Sequence, residues 1–510
     1  MRLPKSLPRI FILLACPVLL VVLFYAEEDW RGWHAWEQFK HEWTAKGEKF
    51  GSQSYFPALV PDDQNFAMTP LVVSSYGQMI DHTGHEIRPR NTNLVNRLQI
   101  SCLREADTGD HPEIGSRQKR TLTDLKVWQQ YYRNPTRTNS PGYKSDEFPV
   151  AANPETPAAD VLLALSKYDA VVDELRQASR LPHSRFPLDY DNENPAAILL
   201  PHLVGLKRCS QVLQLRAIAE LQNDQNDRAL EDVKLMLRLA DSVRNEPFLI
   251  SHLVRIAILQ ISLQPVWEGL TEHKWSVGQL ARLNQELSRL DFLTDYLLAM
   301  HGEMVFQDGL RRYLRHHPEQ LLNVAGDTQA SKPDIIGRIC LHLVPSGWFF
   351  QNQIRCAQAM EEFYLPAADV QHQTIYPTMI RQAEAAVEHE LKNVGPFNIM
   401  ETMMLPALGS AARKFAYAQS SVDFARIACS LERYRIARHQ YPESLDGLLP
   451  QYLGTLPHDV VGGAPLIYHP RADGQFQLYS VGWNEKDDGG VSAFKRDGSV
   501  DTEKGDWTWQ

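Results

Sequence analysis

The stretch FLISHLVRIAILQISL, from Phe248 to Leu263, decides the fold class of this 510-residue chain. It is apolar around nearly its whole circumference at helical period, which is typical of a helix that is buried on every side. Such a helix needs other helices to cover it. The sequence therefore predicts a mainly α fold with this segment at its centre.

Helical patterns flank this segment along the chain. Thr156-Pro157 indicates the first helix start, because a capping threonine followed by proline favours a helix N-terminus. The polar turn NDQND at 223–227 separates two amphipathic helices, and no repeat at a fixed period accompanies them. We expect an irregular antiparallel helical body over residues 156–409.

Residues 51–155 differ from this body in composition. They are rich in proline, asparagine and short polar clusters, and they show little sustained periodicity. This pattern predicts an extended, loop-rich segment that wraps the body. Within it, Phe66 and Met68 lie between two prolines and should dock as apolar side chains.

An uncharged run, IFILLACPVLLVVLFYA, extends from Ile10 to Ala26. At ~1.5 Å per residue it spans roughly 25 Å, which is just long enough to cross the hydrocarbon layer. Basic residues precede it and three acidic residues follow it, so the positive-inside rule places the N-terminus in the cytoplasm. The sequence predicts that residues 1–26 are a cytoplasmic tip and a single transmembrane helix in the inner (cytoplasmic) membrane.

This reading makes the lipid bilayer the partner of Ile10–Ala26 and places the rest of the chain outside the cytoplasm. Two alternatives remain open for the same run. One is a cleaved signal peptide, and the other is a lipoprotein signal that ends at Cys16.

A tryptophan-rich segment follows over residues 27–50. Its aromatic residues recur at near-helical spacing: Trp30, Trp33, Trp36, Phe39 and Trp43. Tryptophan favours the headgroup level of a membrane, so an interfacial helix is one interpretation. The other is a juxtamembrane helix that packs its aromatic face on the protein's own body.

Charge and cysteine content exclude some classes of protein. The net charge of −10 argues against a nucleic-acid partner, which selects for a basic surface, and leaves other proteins as the expected partners. Six scattered cysteines are too few for a disulfide framework in a chain of this length. Cys340 and Cys356 can pair in an oxidising compartment, whereas Cys209 and Cys429 lie in helical patterns and should be buried thiols.

The chain changes character after a last helical run that ends near His439. Tyr441-Pro442, LPHD at 456–459, FQLYSVG at 476–482 and DDGG at 487–490 follow in order. This ordered set resembles the globular domain of the major pseudopilins of type II secretion systems.

The resemblance implies that residues 410–510 form a small α+β domain, a helix on an antiparallel sheet, without enzymatic activity. It also implies a link to a secretion or pilus-like apparatus. The layout of the whole chain resembles a group of large membrane-anchored proteins from verrucomicrobial-type bacteria.

Major pseudopilins hold Ca²⁺ in the loop after the final strand, so the resemblance also implies a calcium site. The ligands that it implies here are Asn484, Asp487, Asp488, Asp506 and the backbone carbonyl of Leu478. Hard cations prefer such oxygen ligands. The alternative is a solvated acidic tail.

Three other groups carry the residue types of metal or catalytic sites: His82 with His85, His316 with His317, and Asp189 with Asp191 and Glu193. The first pair favours a solvated loop over a metal site, and the second favours a helix C-terminus, where cations are stabilised. The three carboxylates suit glycoside hydrolysis only if a fold fixes their separation.

No G-x-S-x-G, G-x-x-x-x-G-K-[ST] or H-E-x-x-H motif is present. The sequence therefore favours a non-enzymatic, membrane-tethered scaffold or binding protein. An envelope hydrolase with a site between the helical body and the C-terminal domain is the alternative, and an accessory part of a secretion or pilus-like machine is a third reading.

Overall fold

The computed structural model describes residues 7–76, 79–80, 86–87, 97–104, 111–134, 148–320, 344–395 and 397–509. It is mainly helical, with 61% helix and 7% strand, which confirms the predicted mainly α class. His82, His85 and Cys340 lie outside the described residues, so what the sequence predicts for them stays a prediction.

Helices account for most of this structure. In chain order they are Leu7–Ala45 (α1), Pro70–Val73 (α2), Leu125–Arg133 (α3), Pro157–Leu165 (α4), Asp169–Ala178 (α5), Pro201–Gln222 (α6), Asn226–Ser242 (α7), Leu249–Thr271 (α8), Val277–Leu287 (α9), Phe292–His316 (α10), Ser346–Ala359 (α11), Pro377–Glu390 (α12), Ile399–Met404 (α13) and Pro406–Arg438 (α14). A π-helical turn, Met360–Tyr364, continues α11. The predicted start at Thr156 is confirmed, because its hydroxyl caps α4 by accepting the N–H of Ala159.

Helix α8 lies at the centre of the body, as predicted. It packs against α6, α7, α10 and α14, and its residues Ile258, Leu259 and Leu263 are fully buried. Only three residues, 223–225, join α6 to α7, so these two helices run antiparallel. Cys209 and Cys429 are buried thiols, also as predicted.

Among the described residues, α8 is the helix that is long and apolar enough to cross a membrane by length and composition. Its most apolar window has a mean hydropathy of 1.4, and 61% of that window is buried inside the protein. This burial is that of a core helix. The side chains of Val18–Phe24 in α1, by contrast, are 48% to 67% exposed.

Helix α1 is 39 residues long and runs without a break from the predicted anchor into the tryptophan-rich segment. It crosses α11 where Gly32 meets Gly347, so closely that a Cβ on Gly32 would lie 2.5 Å from the Gly347 carbonyl oxygen. Asp29 Oδ1 accepts the Gly347 N–H at 2.8 Å, and Trp348 Nε1 donates to Glu28 Oε2 at 3.1 Å. The helix that carries the apolar run is therefore docked on the body.

The tryptophan-rich part of α1 has two different faces. Trp36 is 6% exposed and packs among body residues, whereas Trp30 is 62% and Trp33 is 49% exposed. The same helix thus supplies a packed aromatic residue and two that face outward.

Strands are short and most of them lie near the C-terminal end of the described chain. They are Met79–Ile80 (β1), Glu86–Ile87 (β2), Ala368–Asp369 (β3), Thr374–Ile375 (β4), Ile467–Pro470 (β5), Phe476–Ser480 (β6), Ser492–Phe494 (β7), Val500–Gly505 (β8) and Trp507–Trp509 (β9). An antiparallel sheet has the order β5-β6-β9, and β7 pairs with β8 in a hairpin. Helix α14 packs on β6, β8 and β9, so a small C-terminal sheet region on a helix is present.

The C-terminal sheet shares one hydrophobic core with the helical body. A single cluster of buried side chains includes Phe66 of the proline-rich segment, Leu259 of α8 and Trp507 and Trp509 of β9. Helix α14 begins at Pro406, slightly before the predicted boundary at 410, and contacts α8, α9 and α10. The segments 156–409 and 410–510 are therefore packed together through α14.

Candidate functional site

Three residues of the predicted calcium site, Asn484, Asp487 and Asp488, lie in the loop after β6, whereas Asp506 lies between β8 and β9 and Leu478 lies in β6 itself. Asn484 Nδ2 donates to Asp488 Oδ2 at 2.8 Å, and the Asp488 N–H donates to Asp506 Oδ2 at 3.1 Å. Asp487 Oδ1 accepts the phenolic O–H of Tyr479 at 3.2 Å. The fold thus brings Asp506 against the loop that carries the other three predicted side-chain ligands.

These four side chains do not form a ready cation cage. The Gly490 N–H donates to Asp506 Oδ2 at 2.6 Å, so amide groups already engage the carboxylate that lies deepest. Burial raises the pKa of Asp506, and the nearby charges of Asp488 and Asp487 raise it further. Leu478 is fully buried in β6 and pairs with Trp509. Over the part of the chain that the structure covers, no three His, Cys, Asp or Glu side chains are grouped as metal ligands.

The other predicted groups lie apart from this loop. His316 ends α10 and His317 is its C-cap, in agreement with the helix-end interpretation. Asp189 accepts Asn192 Nδ2 at 2.8 Å on the surface, and Cys356 is a buried thiol whose pKa burial raises to about 12. None of these arrangements provides a nucleophile with an adjacent base.

Two clefts flank a segment of the chain that we call the strap, residues 50–60. The strap lies across the helical body between α10 and the turn at 182–198. Ser54, Tyr55 and Pro57 line one cleft, whereas Phe56 lines the other. The strap therefore forms a wall between two sites of different chemistry.

The arginine cleft is the larger of the two, with a volume of about 640 Å³. We define it by Arg185, Arg238 and Arg244, which line it together with Asp241 and Ser184. Arg238, Asp241 and Arg244 follow one another at three-residue intervals at the end of α7 and just beyond it, so they share one face. The site is strongly polar and rich in hydrogen-bond donors.

Arg185 reaches this cleft because a distant asparagine holds its backbone. Asn65 Oδ1 accepts the Arg185 N–H, and Asn65 Nδ2 donates to the Arg185 carbonyl, both at 2.8 Å. Asn65 is 3% exposed, so a buried side-chain amide fixes the backbone of Arg185. The guanidinium group then donates through Nε to the Pro57 carbonyl of the strap at 3.0 Å.

The aromatic cleft, on the other side of the strap, has a volume of about 320 Å³. Its aromatic walls are Phe50, Phe56, Tyr190, Phe248, Phe306 and Tyr313. Asp191 and Glu193, two of the three carboxylates singled out in the sequence, line the same cleft, together with Asp308 and Arg312. Rings with a few polar groups are typical of sites for organic ligands.

A titratable cluster fixes the strap to the body. Burial and the charge of Glu48 raise the pKa of Glu361, a buried side chain in the π-helical turn, to about 7. Burial, followed by the charges of Glu48 and Glu361, raises the pKa of Tyr55 to about 12. His301 Nε2 lies 3.3 Å from Glu48 Oε2, and its ring stacks on Tyr55 at a centroid distance of 5.0 Å.

The acidic groups near the two clefts differ in accessibility. The perturbed Glu361 is buried and Asp308 is half-buried and paired with Arg312, whereas Asp191 and Glu193 in the aromatic cleft are exposed. A general acid or base must reach a bound substrate directly or through one water, which is open to the exposed pair and not to Glu361. No protein-family model, curated protein or solved structure matches this chain.

Sequence reasoning did not identify the arginine cleft. Its residues come from four segments with no common motif, and Asn65 lies 120 residues from the arginine that it holds. One signal was present, namely the Arg-x₂-Asp-x₂-Arg spacing from Arg238 to Arg244, which places Arg238 and Asp241 about one turn apart near the end of α7 and Arg244 just beyond it.

Proposed function

We propose that this protein is a membrane-anchored extracytoplasmic binding protein or scaffold. The observation that carries the proposal is the continuity of α1, which runs from the apolar segment directly into a helix docked on the body. A ligand or protein held by the body would therefore be kept near the membrane.

The docking contacts support a fixed arrangement rather than a flexible tether. Gly32 and Gly347 allow two helix backbones to approach closely, and the Asp29 carboxylate caps the start of α11. Close contact between small residues is a common way for helices to pack. Anchor and clefts would then move as one unit.

The exposed side chains of α1 support a membrane boundary near Trp30. Apolar residues from Val18 to Phe24 face outward, and exposed Trp30 and Trp33 follow after one or two helical turns. Tryptophan is enriched at the headgroup level, just beyond the hydrocarbon. The proposed single-pass topology therefore has the N-terminus in the cytoplasm and the body outside.

A reporter that is active only outside the cytoplasm, fused to the C-terminal end of the chain, tests this topology. We expect reporter activity in the membrane fraction after carbonate washing. Activity in the soluble fraction alone would mean that the apolar run is removed, and an inactive reporter on a stable fusion would reverse the orientation.

The pseudopilin-like reading of residues 410–510 remains part of the proposal. A helix packed on a small antiparallel sheet supports it, and this unit would offer an interaction surface toward a secretion or pilus-like apparatus. Crosslinking in native membranes, followed by affinity capture under denaturing conditions, tests it. Recovery of secretion or pilus components is the expected result.

The alternative is an envelope hydrolase, and the aromatic cleft is the observation that favours it. Residues of the strap and the helical body line this cleft, so it is not the site between the body and the C-terminal domain that the sequence predicted. Asp191 and Glu193 line that cleft beside several aromatic rings, and glycoside hydrolysis commonly uses a pair of carboxylates. Release of reducing ends from a neutral polysaccharide by the full chain, abolished by Glu193→Gln, would support this function instead.

A further inference from the structure

The arginine cleft has an excess of positive charge. Arg255, fully buried beneath it, donates to Asp241 at 2.5 Å and to Asp295 at 2.8 Å. Arg244 also approaches Asp295, at 3.5 Å. Two arginines thus share these two carboxylates.

The other two arginines, Arg185 and Arg238, form no ion pair with a carboxylate anywhere in the described ranges. With Arg244 and Arg255 balanced by the two carboxylates, two positive charges remain at the cleft. Both side chains are half-buried, and each guanidinium group lies over a ring that supplies no counter-charge, Arg185 over Tyr190 and Arg238 over Phe66. The arginines of the cleft therefore outnumber its carboxylates, of which Asp241 is one.

Backbone carbonyls orient these two guanidinium groups without neutralising them. Arg238 donates to the carbonyls of Ser179 at 3.2 Å and Leu181 at 2.8 Å, beyond the end of α5. Burial lowers the pKa of Arg238, and only the charge of Asp241 opposes this effect. The strap and Asn65 hold Arg185 in a similar way. Both groups are therefore positioned before any ligand arrives.

The lining of the arginine cleft also contains a neutral hydrogen-bond donor. The hydroxyl of Ser184, between His183 and Arg185, is buried and has no hydrogen-bond partner among the residues that the structure describes. A buried polar group without a partner is unfavourable unless a ligand or water satisfies it. A hydroxyl beside guanidinium groups is a donor set that suits an oxyanion.

We propose that the arginine cleft binds a ligand that carries a carboxylate or phosphoryl oxyanion, with Arg185, Arg238 and Ser184 as the donors and Arg244 at the mouth. The inference deepens the proposed binding function, because it gives the ligand class of one of its clefts. It does not depend on the topology of α1, since body and strap residues form the cleft.

Isothermal titration of the full chain in phosphatidylcholine nanodiscs tests the proposal. The probes are pyrophosphate for the phosphoryl group, trigalacturonate for the carboxylate and maltotriose as a neutral saccharide. The variants are Arg185→Gln and Arg244→Gln, with Arg289→Gln as the matched control. Arg289 is exposed and pairs only locally with Glu286 in the same turn.

We expect saturable binding of at least one acidic probe and none of maltotriose. Loss of a charge-assisted hydrogen bond should weaken that binding about tenfold or more in Arg185→Gln, and about threefold in the more exposed Arg244→Gln. Arg289→Gln should stay within about twofold of the parent chain. The better acidic probe identifies the oxyanion.

No binding of either acid at 10 mM would overturn the inference, as would equal weakening by Arg289→Gln or equal binding of maltotriose. Thermal melting shows whether each variant folds. If Arg185→Gln does not fold, the affinity of Arg244→Gln for the acidic probe tests the inference. A chain that binds neither acid can still give reporter activity in the membrane fraction. Failure of this inference is therefore distinguishable from failure of the proposed function.

Discussion

The Asp29 carboxylate accepts the backbone N–H of Gly347 at 2.8 Å, so a residue of the first helix caps a helix that starts more than three hundred residues later. The N–H groups of the first helical turn have no partner within their own helix and need one from elsewhere. Here α1 supplies it for α11. Asp29 is therefore one of the contacts that position the body against α1, and a single substitution tests its contribution.

Asp29→Ala should loosen the start of α11. Loss of a capping carboxylate costs about 1 kcal/mol, and Asn retains much of the effect, so Asp29→Asn should be milder. Hydrogen exchange measured by mass spectrometry should show faster exchange of peptides covering 346–350. Glu42→Ala is the control, since Glu42 is exposed on α1 and pairs with Lys46. Unchanged protection in Asp29→Ala would contradict the cap.

Gly32→Ala should destabilise the chain, although alanine is the better helix former. At an open helical site the change from Gly to Ala gains about 0.5–1 kcal/mol. At Gly32 the new Cβ would lie 2.5 Å from the Gly347 oxygen, so the two helices must separate. Gly278→Ala, where nothing lies within 4 Å of the new atom, should raise the melting temperature. A rise in both variants would disprove the close crossing.

Glu361 should make the free energy of unfolding of the chain fall as the pH rises from about 5 to 8. Unfolded Glu361 loses its proton near its ordinary pKa, whereas the folded group keeps it up to a pKa of about 7. The stabilisation is therefore complete below the unfolded value and is lost as the pH passes the folded one. Glu361→Gln should flatten this part of the melting profile. An identical pH dependence in the variant would exclude Glu361 as the cause.

Calcium should stabilise the chain only weakly. We retain the acidic loop as a proposed site and expect half-saturation in the millimolar range, about that of extracellular modules, because backbone amides already engage Asp506. The melting temperature should rise reversibly with Ca²⁺ and return with chelator. Asp487→Asn with Asp488→Asn should abolish the shift, whereas Asp473→Asn, in the β5-β6 turn, should not. No shift at 10 mM Ca²⁺ would remove the site.

Much of the fold could be predicted because local patterns determine it. The apolar circumference of residues 248–263 required a central position, and the Thr156 cap fixed the start of α4. Phe66 is fully buried, as its position between prolines suggested. In each case the signal lies within a few residues of the chain, although distant segments such as Phe186 against Phe66 provide the burial.

The candidate site could not be predicted in the same way, because contacts between distant segments create it. Arg185 faces the cleft only because Asn65 clamps its backbone and the strap carbonyl of Pro57 accepts its Nε. The tryptophan pattern illustrates the same limit. Its spacing predicted an aromatic face, but the crossing with α11 decides that Trp36 is buried and that Trp30 is not.

The single core that joins Phe66 to Trp507 and Trp509 has a kinetic consequence. Contacts between residues so far apart in the chain close slowly, and here they cannot close before the ribosome has synthesised the strand Trp507–Trp509. Until then the side of α14 that faces the sheet stays uncovered, and the partly folded chain is open to aggregation.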